Sequence, residues 1–284
     1  MVAFIFALLL AILVNLPIGY VAIKKDALTM PGGFLSAALT GALVFLAHPL
    51  LWGLLVLFFV SSTLLTKFKE DSEVKINAMS YAEKGGQRDS LQVFANGGVA
   101  VIGAILGLIS LGYFSEKITS AIFLFVAISF SSSNSDTWAT EIGTTSNNEP
   151  VWVFSWRKRV PRGTSGGITL RGTFGSFLGA LVTGILYLFL GISISSLGDL
   201  LLPTVFIVIF GFLGSITDTM LGAGVQRLNK CPSCEKLTEK SQHTHDQPVE
   251  TEYYRGWKWM TNDTVNFLSG LIVSILGFTL YSIL

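Results

Sequence analysis

The sequence predicts an all-α polytopic membrane protein: about eight transmembrane helices in one bundle, N- and C-termini outside, long loops cytoplasmic. Three observations predict it. The 284 residues are 51% hydrophobic and only 13% charged, about half the charged share of a globular domain. Several stretches run roughly twenty residues without a charge, the length a helix needs to cross a bilayer. The basic residues fall on alternate loops.

The spans read at about 2–23, 32–47, 50–66, 92–112, 118–140, 172–191, 200–222 and 264–283. The first has no basic n-region and no small-residue cleavage site, and reads as a retained helix. His48-Pro49 divides the apolar run 34–66 into the second and third spans. The fourth and sixth carry Gly103/Gly107 and Gly175/Gly179 at GxxxG spacing, which suits close helix packing. The fifth is half polar: only 118–128 is cleanly apolar, and Ser, Asn and Asp follow. Such a helix should face protein or water rather than lipid. The chain reads as a single transmembrane domain, 1–284, with a cytoplasmic loop at 223–262.

With these spans, every Lys and Arg except Lys117 falls in an odd-numbered loop. Lys and Arg concentrate in cytoplasmic loops, so the odd loops are expected inside. The expected location is an integral membrane protein, in the plasma membrane if prokaryotic, with its active face cytoplasmic. The long polar connections share that face, which is where function is expected.

Even-numbered spans should begin at the cytoplasmic face, each after polar or glycine-rich sequence: "KKDALTMPGG", "EKGGQRDSLQ", "WRKRVPRGTSGGITLRGT" and "TNDT". Helix N-termini present unsatisfied N–H groups to anions, and glycines let backbone amides approach a phosphate. Before the sixth span, Arg162 and Arg171 supply charge. Thr164, Ser165, Gly166 and Gly167 supply a donor-rich loop, with Thr169 and Thr173 at the helix start. A positive-inside loop with a glycine turn is the plain alternative. The run is not a Walker A, since no Gly-Lys-Ser/Thr follows. Before the fourth span, Lys84, Arg88 and Asn96 are phosphate-binding candidates, with interfacial snorkelling as the alternative for Lys84.

The acids echo one another in "SDT" at Asp136, "TDT" at Asp218 and "NDT" at Asp263. Asp136 and Asp218 sit towards the C-terminal ends of their spans, where the helix dipole disfavours an anion. Carboxylates at membrane depth call for a cation or a proton. Asp263 opens the last span, where an Asp also serves as an N-cap. Glu141 lies five residues after Asp136, about 140° around a regular helix, so the two converge only if the helix unwinds before Gly143. Mg²⁺ takes one or two carboxylates plus substrate phosphates, so acids and bases on one face point to phosphoryl chemistry on a membrane-dissolved substrate. In "CPSCEKLTEKSQHTH", Cys231, Cys234, His243 and His245 make C-x2-C-x8-H-x-H, four candidate ligands for a structural Zn²⁺. A flexible loop with incidental cysteines is the alternative.

The ordered set "KGGQRDSLQVFANGG", "SDTWATEIG", "GTSGGITLRGT", "GSITDTMLGAGVQ" and "NDTVNFLSG" resembles the integral-membrane family that contains transmembrane protein 19 and the plant phytyl-phosphate kinase. The resemblance spans about residues 25–275. It implies a Mg²⁺-dependent membrane kinase that moves a phosphoryl group from a nucleoside triphosphate, such as CTP, to an isoprenoid monophosphate such as phytyl or geranylgeranyl phosphate. Carried over by motif, the metal ligands fall on Asp136, Glu141, Asp218 and Asp263, and Asp136, Asp218, Arg162 and Arg171 carry the reaction. The implied partners are the nucleotide, the prenyl phosphate and membrane lipid, with no nucleic acid. Nucleotidyl transfer to a lipid phosphate, and transport or flipping of a phosphorylated lipid, remain open from the residues alone.

Overall fold

The computed structural model describes residues 2–68, 86–193, 195–243 and 248–284. Eight helices occur among them: α1 (Val2–Lys24), α2 (Gly32–Ala47), α3 (Pro49–Lys67), α4 (Ser90–Ser110), α5 (Glu116–Thr144), α6 (Leu170–Gly191), α7 (Leu197–Gly224) and α8 (Asn262–Ile283). Seven are long and apolar enough to cross a bilayer, and α2, with 16 residues, is shorter. At 1.5 Å per residue α2 reaches about 24 Å, less than the roughly 30 Å of a hydrocarbon core.

The helix starts follow local chemistry. His48 Nδ1 accepts the Leu50 N–H at 3.2 Å, and Pro49 takes the first position of α3, where its missing N–H leaves nothing unsatisfied. Asp89 and Gln92 form a reciprocal capping box on α4. Ser115, Thr169, Ser196 and Thr261 cap α5, α6, α7 and α8. Each cap satisfies a backbone donor that the helix cannot, worth about 1 kcal/mol.

The polar fifth helix is the centre of the bundle, packed against α3, α4, α6, α7 and α8. Ser129 and the whole run from Ser131 to Ser135 are buried. Their side chains bond across helices: Ser131 Oγ to the Ile207 carbonyl at 2.9 Å, Ser133 Oγ to Asn96 O at 2.9 Å, and Ser135 Oγ to Ser176 O at 2.7 Å. Asn134 joins three helices, donating to Gly179 O and Thr183 Oγ1 while accepting from Ser61 Oγ. Such bonds average about 0.6 kcal/mol in membranes, so their number matters more than any one. Close approach is secured by Gly211 and Gly214 on α7. A Cβ on them would lie 1.9 Å and 2.0 Å from Ser131 Oγ and Ser132 Oγ. The predicted glycine pairs do the same job: Gly103/Gly107 face Phe123, Phe125 and Val126, and Gly175/Gly179 face the α5 backbone and Trp138.

The fifth helix does not unwind before Gly143. It continues to Thr144, because Gly143 is packed against Gly172 and Thr169 of α6. Asp136 and Glu141 therefore stay about 140° apart.

The long connections meet at one end of the bundle. The Arg88 N–H donates to Ala27 O and its carbonyl accepts from the Thr29 N–H. Arg171 reaches Thr145 O, and the Arg227 N–H donates to Met260 O. Two of these connections carry small antiparallel sheets that periodicity did not anticipate. One, in the order β2-β1-β3, comprises β1 (Val151–Trp152), β2 (Ser155–Arg159) and β3 (Gly167–Ile168). The other, in the order β5-β4-β8, comprises β4 (Leu228–Lys230), β5 (Leu237–Thr238) and β8 (Glu252–Arg255). Beside it β6 (Gln242–His243) pairs with β7 (Val249–Glu250). Strands this short lack the length of an independent pattern.

Candidate functional site

Two half-buried carboxylates from neighbouring helices face each other, Asp136 on α5 and Asp218 on α7. The Ser215 hydroxyl, one turn before Asp218, donates to Asp136. On α8, Ser269 Oγ donates to Asp218 Oδ2 at 3.1 Å, and the Asn266 amide nitrogen donates to the same oxygen at 2.9 Å. Glu239, from the long loop before α8, adds a third negative charge within electrostatic reach of Asp218. Among the described residues neither Asp136 nor Asp218 forms an ion pair with Lys or Arg. Mutually repelling carboxylates inside a membrane bundle, held by hydroxyl and amide donors, form a hard-oxygen set suited to a divalent cation.

Asp263 lies in the first turn of α8, but the cap there is Thr261, whose hydroxyl accepts the Thr264 N–H. Asn262, Asn266 and Ser269 mark the polar face of the same helix, at spacings of four and three.

A second polar centre lies between α3, α4 and α5. The Arg88 guanidinium donates to Thr63 Oγ1 at 3.1 Å and to Ser62 Oγ at 2.9 Å, and stacks over Phe59. Burial pushes its pKa down, while the nearby Glu141 carboxylate pulls it back up. Glu141 Oε1 accepts from Thr66 Oγ1 at 2.7 Å. Glu141 thus belongs with Arg88, away from Asp136, because α5 stays helical between the two acids. Lys84 and His245 lie outside the described residues.

Arg88 also lines a partly open cleft between α1, α2, α3 and α4, whose walls include Ile18, Leu55, Phe58, Phe59 and Val93. Asn96 lines the same cleft, its amide donating to Gln92 O. Next to Arg88, a polar pocket is lined by Asp26, Thr63, Thr66, Lys67 and Gln87. A half-buried arginine that lines an apolar cleft and bonds Thr63 of a neighbouring polar pocket has the surroundings to suit the two ends of an amphiphile.

The glycine-rich loop before α6 is not an open cradle. Gly166 has φ +89° and rests on Ala223 of α7, a conformation only glycine adopts readily. The Gly167 N–H is already bonded to Thr164 O at 2.9 Å, which corrects the expectation that it faces a phosphate. Thr169 is the α6 cap, and Thr173 Oγ1 bonds back to Thr169 O. Arg162 donates to Ser146 O and Asn147 O, and Arg171 to Thr145 O at 3.1 Å. Both arginines bind carbonyls just past the end of α5, where positive charge complements the dipole. That end lies about 12 Å along the axis from Asp136, so the two arginines are not brought to the acids. Ser165 is the loop's link to the acid centre: its Oγ donates to Gln226 Oε1 and Gln226 Nε2 donates to Glu239 Oε1, both at 2.7 Å.

Beyond these centres, the donor atoms of Cys231, Cys234 and His243 converge in the loop before α8. Ser215, Gln226, Glu239, Asn266, Ser269 and Thr66 were missed by sequence reasoning. The three-four spacing of Asn262, Asn266 and Ser269 on α8 was a readable signal. Gln226 and Glu239 had none, because only the folded loop returns them to α7.

The model of a family described as "Integral membrane protein DUF92" matches residues 13–274. The chain belongs to this family. It is 27% identical over 283 residues to Protein PGR of Arabidopsis thaliana, covering 95% of each chain. It is 27% identical over 248 residues to an uncharacterized membrane protein of Synechocystis sp., covering 86% of this chain and 80% of that one. A third relative, an uncharacterized membrane protein of Methanocaldococcus jannaschii, is 28% identical over 144 residues, 49% of this chain and 52% of its own. No solved structure matches the chain. Family membership and seven bilayer-length helices together establish an integral membrane protein.

Proposed function

We propose that this protein is a membrane kinase that transfers the terminal phosphoryl group of a nucleoside triphosphate, such as CTP, to an isoprenoid monophosphate. The observation that carries the reading is the pairing of two facing carboxylates, Asp136 and Asp218, with a half-buried arginine that lines an apolar cleft and bonds Thr63 of the adjacent polar pocket. The prenyl tail would lie in the cleft between α1 and α4, reached from the lipid side. Arg88 would bind the monophosphate, held in place by Ser62, Thr63 and the Glu141 charge. A planar guanidinium fixed by hydroxyls is suited to phosphate oxygens.

Asp136 and Asp218 would hold a Mg²⁺ ion, which when bound neutralises the nucleotide phosphates. Ser215, Ser269 and Asn266 orient the two carboxylates, and Asp263 lies on the same helix as the last two. An oxygen of the prenyl monophosphate attacks the terminal phosphorus, the bond from that phosphorus to the bridging oxygen breaks, and the nucleoside diphosphate leaves. No side-chain base is needed, because the acceptor oxygen is already anionic.

Purified protein with Mg²⁺, CTP or ATP, and phytyl or geranylgeranyl monophosphate should form the prenyl diphosphate, read by phosphorus NMR. Asp136→Ala or Asp218→Ala should abolish turnover with the folded fraction unchanged. Absence of diphosphate across this panel overturns the kinase reading. Release of pyrophosphate with a nucleotide-bearing lipid would assign nucleotidyl transfer instead.

A further inference from the structure

The described residues of the loop between α7 and α8, 225–243 and 248–261, fold outside the helices with little apolar interior. Among the described residues of this loop, the buried hydrophobic side chains are Leu228, Cys231 and Met260. Strands of two to four residues with so small a core need another source of order. The loop contains a compact set of soft donors. Cys231 follows β4, and a tight turn brings Cys234 back to it. The Glu235 N–H donates to Cys231 O, the Cys231 N–H donates to Lys236 O, both at 2.9 Å, and Glu235 takes φ +58° to close the turn. His243, at the end of β6, then approaches from a separate part of the loop, its Nδ1 3.3 Å from Cys234 Sγ. One donor atom from each of Cys231, Cys234 and His243 lies within 4.8 Å of the other two.

We infer that Cys231, Cys234 and His243 bind a Zn²⁺ ion that organises this loop. Zn–S bonds of about 2.3 Å and Zn–N bonds of about 2.0–2.1 Å at tetrahedral angles place S and N about 3.5 Å apart and two sulfurs about 3.8 Å apart. The 3.3 Å between Cys234 Sγ and His243 Nδ1 is near that S–N spacing, and all three donor atoms lie within 4.8 Å of one another. A Cys–His hydrogen bond alone would account for Cys234 and His243. It leaves unexplained why a turn closed by a residue of positive φ also delivers the buried Cys231 sulfur to the same point. Binding converts both thiols to thiolates and releases their protons, so the site contributes folding free energy that the small loop core lacks. Glu239 lies between Cys234 and His243 in sequence, and its carboxylate is fixed by Gln226 beside Asp218. The ion therefore sets the position of the third acid at the carboxylate centre. The site itself does not depend on the kinase reading.

The test is the zinc content of the full-length protein, purified in detergent without chelator and with a tag that binds no metal. Elemental analysis should find one zinc per chain, and X-ray absorption should show two sulfur neighbours. Cys231→Ser and Cys234→Ser should each lose the zinc, whereas Glu235→Ala, a neighbour that is not a ligand, should keep it. Metal-free wild type after expression with added zinc overturns the inference, as does zinc retained in both cysteine variants. If the cysteine variants fail to fold, mercurial titration of the wild type decides: modifying the two thiols must release zinc to a chromogenic chelator, and no release overturns the site. Zinc content is read without any turnover, so its failure and the failure of the kinase reading are separate results.

Discussion

Arg88 shows how a single side chain can join two environments. Its guanidinium leaves the helix start, crosses to Ser62 and Thr63 on α3, and lies near Glu141 on α5. Lysine would retain the charge but not the forked donors that reach two hydroxyls at once. Arg88→Lys should raise KM for the prenyl phosphate by about tenfold, roughly the loss of one charge-assisted hydrogen bond, with a smaller change in kcat. Steady-state kinetics at saturating nucleotide would check it, and an unchanged KM would remove Arg88 from phosphate binding. The contrast with Arg162 and Arg171 is instructive. All three arginines stand near glycine-rich turns in sequence, yet Arg162 and Arg171 bind carbonyls at the end of α5. Sequence supplies the charge of a residue; the partner comes from whichever chain end the fold brings to it.

At the scale of an element, α5 carries the architecture. Its Ser-Asn run is too polar for lipid, and the structure resolves this by burying it against five other helices. The glycines opposite are part of the same solution, since any Cβ at Gly214 would meet Ser132 Oγ at 2.0 Å. Gly214→Leu should destabilise the bundle by about 1–3 kcal/mol, the usual range for overpacking. Gly198→Leu, near the exposed start of the same helix with no atom closer than Ser196 Oγ at 3.8 Å, should have a much smaller effect. Thermal unfolding in detergent would compare them, and equal midpoints would refute the close-packing role. The half-polar character of α5 was legible in the sequence. Its regular course through Gly143 was not, because α6 packing holds it helical where composition suggested a break.

Across the whole molecule, the contacts between loops place the N-termini of α4, α6 and α8 and the C-termini of α1, α3, α5 and α7 at one end. From the strong Lys and Arg bias of these connections and the positive-inside rule, we propose that this end is cytoplasmic. Expressed in a bacterial host, a fluorescent protein inserted near residue 240 should mature and glow, while alkaline phosphatase fused after Leu284 should be active. The reverse pattern would invert the topology. The acid centre, the Arg88 centre and the Cys-His cluster all lie towards this end. On the proposed reading, a membrane-dissolved substrate in the cleft between α1 and α4 would meet the Arg88 centre at this end.

The sequence by itself determined the eight helices seen among the described residues, their limits to within a few residues, and that the polar fifth span faces protein rather than lipid. Each of these follows from local hydropathy, capping chemistry and the cost of exposing polar groups to lipid. Only the tertiary structure decided that Asp136 faces Asp218, that Glu141 turns to Arg88, that the glycine-rich loop packs on α7, and that Gln226 and Glu239 return to the acid centre. Those outcomes depend on contacts between segments tens of residues apart. No local pattern encodes them, because the free energy that selects them exists only once the helices have packed.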